Sequence, residues 1–315
     1  MIVDTVAPLS DVTKDDEQEV GGKAANLGEL IRAGMPVPDG FVVTASAYRD
    51  ARAALAVHSA ATPVRDVPSS RNVPVPADLR RRIVDAYERM GDGVAVAVRS
   101  SATGEDSEEA SFAGMNATIT DVRGAAAVVD AVQTCWASLF GERVVAYRAA
   151  RGLQSEPAMA VVVQRMVPAE RSGVMFTVDP TGVDPTGGDP TGGDPTGGTA
   201  ADLVIEAAYG LGEVVVSGAV EPDTYRVDRV TGQVSGAKVG SQSFVLRAGA
   251  DGHDAKVDLE PELVGRRVLT DDEAIALSQL GLRIEEHFGR PQDIEWAAVD
   301  GQWSIVQARP ITTPV

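Results

Sequence analysis

Apolar positions along this chain change their period several times, and each change marks an element. Over residues 23–33, Leu27, Leu30 and Ile31 recur at helical spacing, and Gly34 with Pro36 supplies a helix stop. Phe41-Val42-Val43-Thr44 then reads as a strand, and a second helix begins at Ser46. The Pro-rich stretch 62–76 is a loop, followed by a helix marked by Leu79, Ile83, Ala86 and Tyr87. Residues 94–99 form a buried strand that runs into a Ser/Thr/Gly-rich loop over 100–107, the kind of transition expected to face a phosphate. Residues 124–151 predict two helices broken near Gly141, and 158–166 and 173–179 predict two strands.

The second half opens with a repeat. Asp-Pro-Thr-Gly recurs at 179, 184, 189 and 194, and each unit is turn chemistry, with Pro fixing φ and Gly accepting positive φ. Four units are too short for a solenoid, so the expectation is an expanded surface loop over 179–199 rather than a calcium or partner site. A strand resumes at 203–207, Tyr209-Gly210-Leu211-Gly212-Glu213 is Gly-rich, and a hairpin turns at Thr231-Gly232. Thr270-Asp271-Asp272-Glu273 is a capping box for a helix whose apolar face is Ala276, Leu280, Ile284 and Phe288, ended by Gly289. A final hairpin turns at Asp300-Gly301.

With 315 residues and 44% hydrophobic content, the chain can bury a substantial core. Only 4% is aromatic, so that core is built from small branched side chains. A net charge of −18 argues against nucleic acid and anionic membrane surfaces as partners. The single Cys135 excludes an internal disulfide and reads as a buried small hydrophobe. No apolar run approaches the roughly 20 residues needed to span a bilayer, and no secretory leader pattern opens the chain, so cytoplasm is the expected compartment. His58, His253 and His287 show no metal-ligand spacing.

Candidate chemistry lies at widely separated points. Lys23 sits in Gly21-Gly22-Lys23-Ala24-Ala25-Asn26-Leu27, and Arg99 in Val96-Ala97-Val98-Arg99-Ser100-Ser101-Ala102. A triphosphate carrying about four negative charges needs cations, backbone amides and Mg²⁺ around it. Arg99 offers a planar fork and Lys23 a mobile point charge. Taken singly, a lysine after two glycines is an ordinary solvated helix-start residue, and an arginine ending a strand an ordinary ion-pair partner. The final hairpin carries Glu295, Gln307 and Arg309 in Gln292-Asp293-Ile294-Glu295-Trp296 and Ser304-Ile305-Val306-Gln307-Ala308-Arg309-Pro310. Carboxylate and amide oxygens there suit Mg²⁺. A plain two-residue turn would put Glu295 opposite Val306, whereas a three-residue turn or a bulge pairs Glu295 with Gln307 and Asp293 with Arg309; the latter is predicted.

Together with Ser111-Phe112-Ala113-Gly114, these segments resemble the amino-terminal ATP-binding domain of phosphoenolpyruvate synthase, pyruvate phosphate dikinase and rifampin phosphotransferase, in order from about Gly21 to Pro310. The resemblance implies an α+β, ATP-grasp fold of two subdomains with the nucleotide between them, drawn here as residues 1–200 and 201–315. It implies ATP and Mg²⁺ as cofactors. Lys23, Arg99 and Arg309 are then catalytic, Gly114 and Thr118 contact nucleotide from a Gly-rich loop, Gln164 lies near adenine, and Glu295 and Gln307 bind the metal. Where family members usually carry two amide or acidic residues, this chain has Met115-Asn116. Ala102-Thr103-Gly104-Glu105-Asp106 matches the family's loop after the arginine, with a solvated turn as its plain alternative; Glu206 is a minor candidate for the cleft.

The same resemblance implies that a histidine on a swivelling domain attacks the β-phosphoryl of ATP, yielding AMP and phosphate. No histidine here matches that carrier, so the swivelling and acceptor-binding domains are expected on another chain or on a continuation of this one. The alternatives are a self-sufficient small-molecule kinase that forms ADP and a noncatalytic nucleotide sensor.

Overall fold

The computed structural model describes residues 4–61, 73–102, 117–141, 144, 158–179, 202–249 and 254–311. Helices and antiparallel strands divide the chain into two units, Met1–Met166 with Gly249–His253, and Val167–Ala248 with Asp254–Val315. The division at 166/167, rather than after residue 200, follows from where one strand pairs. β6 (Arg171–Phe176) lies between β7 (Asp202–Tyr209) and β12 (Gln292–Val299), so the segment before the repeat belongs to the second unit's sheet.

In the first unit a five-stranded antiparallel sheet has the order β1-β2-β5-β3-β4, formed by Val6–Pro8, Gly40–Val43, Met159–Arg165, Val96–Ala102 and Thr118–Val122. Both faces are covered, which explains the almost unbroken apolar run of β5. One face gives Phe41, Val43, Val96, Val98, Met159, Val161 and Val163 to a core shared with α2 (Ala45–Ala61), α3 (Ala77–Met90) and α4 (Ala125–Ser138). Trp136 fills this core at its centre, packed edge-on against Tyr48. The other face gives Val42, Ala160 and Val162 to α1 (Glu17–Arg32) through Val20, Ala24, Ala25 and Leu27.

The helix expected from residue 23 starts earlier in the structure but is interrupted at Gly21, whose φ of 74° and ψ of 163° are not helical. Its end is as expected: Gly34 takes a φ of 71° and its N–H donates to Ile31 O at 3.0 Å. β1 and β4 escaped the pattern because the first is three residues long and the second mixes polar and apolar positions. The second helix expected up to residue 151, the loop 62–72, the Gly-rich loop with Gly114 and the repeat over 180–201 lie outside the described residues.

The second unit is a six-stranded antiparallel sheet ordered β13-β12-β6-β7-β8-β9, completed by β8 (Asp223–Asp228), β9 (Val234–Lys238) and β13 (Gln302–Pro310). α6 (Asp271–Phe288) packs on one face, where Gly281 sits so near Met175 that a Cβ would lie 2.6 Å from its methyl carbon. Its capping box forms as expected, with Glu273 N–H donating to Thr270 Oγ1 and Thr270 N–H to Glu273 Oε2, and Gly289 ends it at φ 68°. On the other face, Val174 and Ala208 pack against Val214 and Val215 of the short α5 (Glu213–Val216). A separate hairpin, β10 (Phe244–Ala248) with β11 (Asp254–Asp258), had no clear signature because only short alternations mark it. The first Asp of the repeat is held in place: Asp179 is buried, pairs with Arg226 at 2.5 Å, and its N–H donates to Asp202 O.

Candidate functional site

Polar residues in the first unit interrupt one sheet face at the end covered by the start of α1. In the β3–β5 register Ala97 faces Gln164, Arg99 faces Val162 and Ser101 faces Ala160, while β4 sets Thr118 opposite Arg99. Residues directly opposite share a face in an antiparallel pair. Arg99, Ser101, Gln164 and Thr118 therefore lie on the side of Val162 and Ala160, the side that α1 covers. Arg99 and Gln164 are buried, at 9% and 2% exposure, while Thr118 is exposed. The Gln164 Nε2 finds no hydrogen-bond acceptor among the described residues. A buried amide left without an acceptor is costly, so this donor is available to a ligand.

α1 brings Lys23 to this face. Gly21 lies so close to β3 that a Cβ on it would sit 2.3 Å from Ser101 Oγ and 2.5 Å from Ser101 O. Lys23 follows two residues later, half-buried, and Ala24 N–H donates to Ser101 Oγ at 3.4 Å. Lys23, Arg99, Thr118 and Gln164 thus belong to one region of one unit. Gly114 lies outside the described residues.

In the second unit, the final hairpin has a two-residue turn and a bulge. Val299 pairs with Gln302 across Asp300 and Gly301, which take φ of 50° and 71°, as a tight hairpin turn of mirror-image type demands. That turn alone would set Glu295 opposite Val306. The register instead shifts between Glu295 and Trp296: Trp296 pairs with Ile305, Val306 is the extra residue, and Glu295 pairs with Gln307. Asp293 then stands opposite Arg309, whose Nε donates to Asp293 Oδ2 at 2.9 Å. The sequence foresaw these pairings through a longer turn or a bulge, and the bulge is the device used.

Continuing across the sheet, Glu295 faces Val174 and Val174 faces Glu206. Glu206, Asp293, Glu295, Gln307 and Arg309 therefore occupy one face. Burial raises the Glu206 carboxyl above its ordinary range, and neighbouring Asp293 raises it further. Burial also raises Asp293, opposed by Arg309 and reinforced by Glu295. Burial and mutual repulsion thus raise two carboxyls on this face, and Arg309 opposes the rise at Asp293. Among the described residues no group of three or more His, Cys, Asp and Glu is disposed to enclose a metal. The Glu295–Gln307 pair instead offers two hard oxygen donors, which suits Mg²⁺ that keeps water and phosphate in its shell. Sequence reasoning assigned Asp293 no role; its signal was the Asp-x-Glu spacing, which on a strand puts both carboxylates on one face. Ser101 was read as part of a phosphate-facing loop over 100–107, but β3 continues through it to Ala102, and nothing in its sequence reveals which helix covers it.

The chain matches the family described as pyruvate phosphate dikinase, AMP/ATP-binding domain, over residues 17–314. It is 42% identical to a probable phosphoenolpyruvate synthase of Methanothermobacter thermautotrophicus, across 99% of this chain and 46% of that protein. A probable phosphoenolpyruvate synthase of Archaeoglobus fulgidus is 43% identical, with coverage of 97% and 41%. A rifampicin phosphotransferase of a Streptomyces species is 40% identical, with coverage of 98% and 36%. The chain spans less than half the length of these relatives. No helix among the described residues is long and apolar enough to cross a membrane. The motifs, the α+β architecture and a match running through nearly every residue agree: the chain belongs to the pyruvate phosphate dikinase AMP/ATP-binding domain family, an ATP-grasp-type domain.

Proposed function

We propose that this chain is the ATP-activating module of a dikinase-type phosphotransferase. The observation that carries this reading is the bulge at Val306, which sets Glu295 opposite Gln307 and Asp293 opposite Arg309. A bulge adds local bend and leaves a residue unpaired, and here it places two oxygen donors side by side and an arginine beside them. Lys23 and Arg99 neutralise phosphate oxygens, Thr118 donates a hydroxyl proton from beside Arg99, and the buried Gln164 amide donates to the base. Gly114 lets the loop backbone approach phosphate.

Glu295 and Gln307 would hold Mg²⁺, which, when bound, neutralises phosphate charge and fixes the chain of phosphorus atoms for in-line attack. Asp293 keeps the Arg309 fork oriented, and Arg309 stabilises charge on the phosphoryl being transferred. The carrier is a histidine on a swivelling domain supplied by another chain or a continuation of this one. Its nitrogen bonds to the β-phosphorus as the bridging oxygen leaves with AMP, and water later removes the outer phosphoryl as phosphate. The final acceptor is recognised by a further domain.

Phosphorus NMR of the chain with Mg²⁺ and ATP, alone and with a candidate swivelling domain, tests this. AMP and phosphate are expected only in the mixture. ADP from the isolated chain with a small acceptor would identify a self-sufficient kinase, and binding without turnover in any mixture a nucleotide sensor.

A further inference from the structure

The helix that carries Lys23 begins without a cap of its own. Gly21 is the last residue with non-helical angles before the run to Arg32, so it occupies the position whose side chain normally accepts from the N–H three residues on. Glycine has no side chain to do so. The acceptor is instead Ser101 Oγ of β3, which receives the Ala24 N–H. Ser101 is fully buried, and the missing Cβ at Gly21 is what allows the approach, since that atom would lie 2.3 Å from the hydroxyl. A helix start is thus capped from a strand 77 residues further along.

Its position gives this cap a consequence. Ser101 lies two residues beyond Arg99 on the same face of β3, about 7 Å along the strand. Lys23 lies one residue before the capped Ala24. We infer that Ser101 is a positioning residue for ATP binding, acting through Lys23: its hydroxyl ties the first turn of α1 after the Gly21 break to the strand that bears Arg99 and so fixes the spacing of the two phosphate-binding cations. This rests on the reading of Lys23 given above.

The test is a double-mutant cycle read by calorimetric ATP affinity in the presence of Mg²⁺, on the whole chain, with a melting curve for each variant. Ser101→Ala is expected to weaken ATP binding between about 2- and 10-fold, the size of one lost hydrogen bond. Ser101→Cys, of similar shape but a weak acceptor, is expected to lose a comparable amount, which keeps the test open if the alanine variant fails to fold. In the Lys23→Ala background the same changes at 101 are expected to alter affinity less than about 2-fold, because the residue they act through is gone. Full affinity in both Ser101 variants, or an equal loss with and without Lys23, overturns the inference while leaving the nucleotide site standing. Failure of the unmodified chain to bind ATP, or full affinity in Lys23→Ala, overturns the reading of Lys23 and this inference with it.

Discussion

The two units solve the same structural problem with opposite charge. Each is an antiparallel sheet in which polar side chains interrupt one otherwise apolar face, beside Val162 and Ala160 in the first unit and beside Val174 and Ala208 in the second. In the first unit the polar set is cationic or neutral and lies under a helix, so Arg99 and Gln164 are buried. In the second the set is rich in carboxylates, and its exposure is graded, from buried Gln307 through half-buried Glu295 and Glu206 to exposed Arg309. A buried cation must be spaced by rigid contacts, such as the cap on α1, whereas clustered carboxylates raise one another's proton affinity until a cation joins them. In the function proposed above, the first face takes the phosphates and the second the metal and the phosphoryl being transferred.

The largest expected effect tests that division at its catalytic end. Arg309→Ala should lower AMP formation with a swivelling domain about 1,000-fold, with melting moved by only a few degrees, since Arg309 is an exposed member of its ion pair. A rate close to that of the unmodified protein would remove Arg309 from the chemistry. Next comes the scaffold of the acidic face. Gly173→Ala puts a Cβ 1.8 Å from Glu206 O and 2.9 Å from the Trp296 ring, so unfolding in urea should show a loss of about 3 kcal/mol. Normal stability there would mean that the central strands are less tightly stacked than described.

Gly301→Ala should cost about 1 kcal/mol by the same measurement, because φ of 71° suits glycine even though open space surrounds the position. The smallest effect is electrostatic. Glu206 has a folded carboxyl pKa above its ordinary 4.5, so its contribution to stability is present below that value and lost as pH rises through the folded pKa. Glu206→Gln should therefore raise the melting temperature by about 1–2 °C at pH 7 and by nothing near pH 4. An equal gain at both pH values would point to packing and not to charge.

Much of this was legible along the chain. Period and punctuation located α1, α3, α6 and the buried strands, and the spacing of Glu295, Gln307 and Arg309 called for either a three-residue turn or a bulge. Boundaries were weaker where a strand's partner decides its unit: β6 reads equally well in either half, and only its pairing with β7 and β12 places it. The pairing of Asp293 with Arg309 was legible, but the approach of Asp293 to Glu206 across two further strands was not, and Ser101 was hidden because its partner is a helix start 77 residues away.

By itself the sequence determined the family, the alternation that segregates polar from apolar faces, the helix caps and the residue types suited to phosphate and Mg²⁺, because these follow from local spacing and side-chain chemistry. Tertiary structure alone decided which faces coincide: that Val306 bulges, that Glu206 shares a sheet face with Glu295, and that Ser101 caps α1. Those outcomes depend on register and close approach between distant segments, which no local pattern encodes.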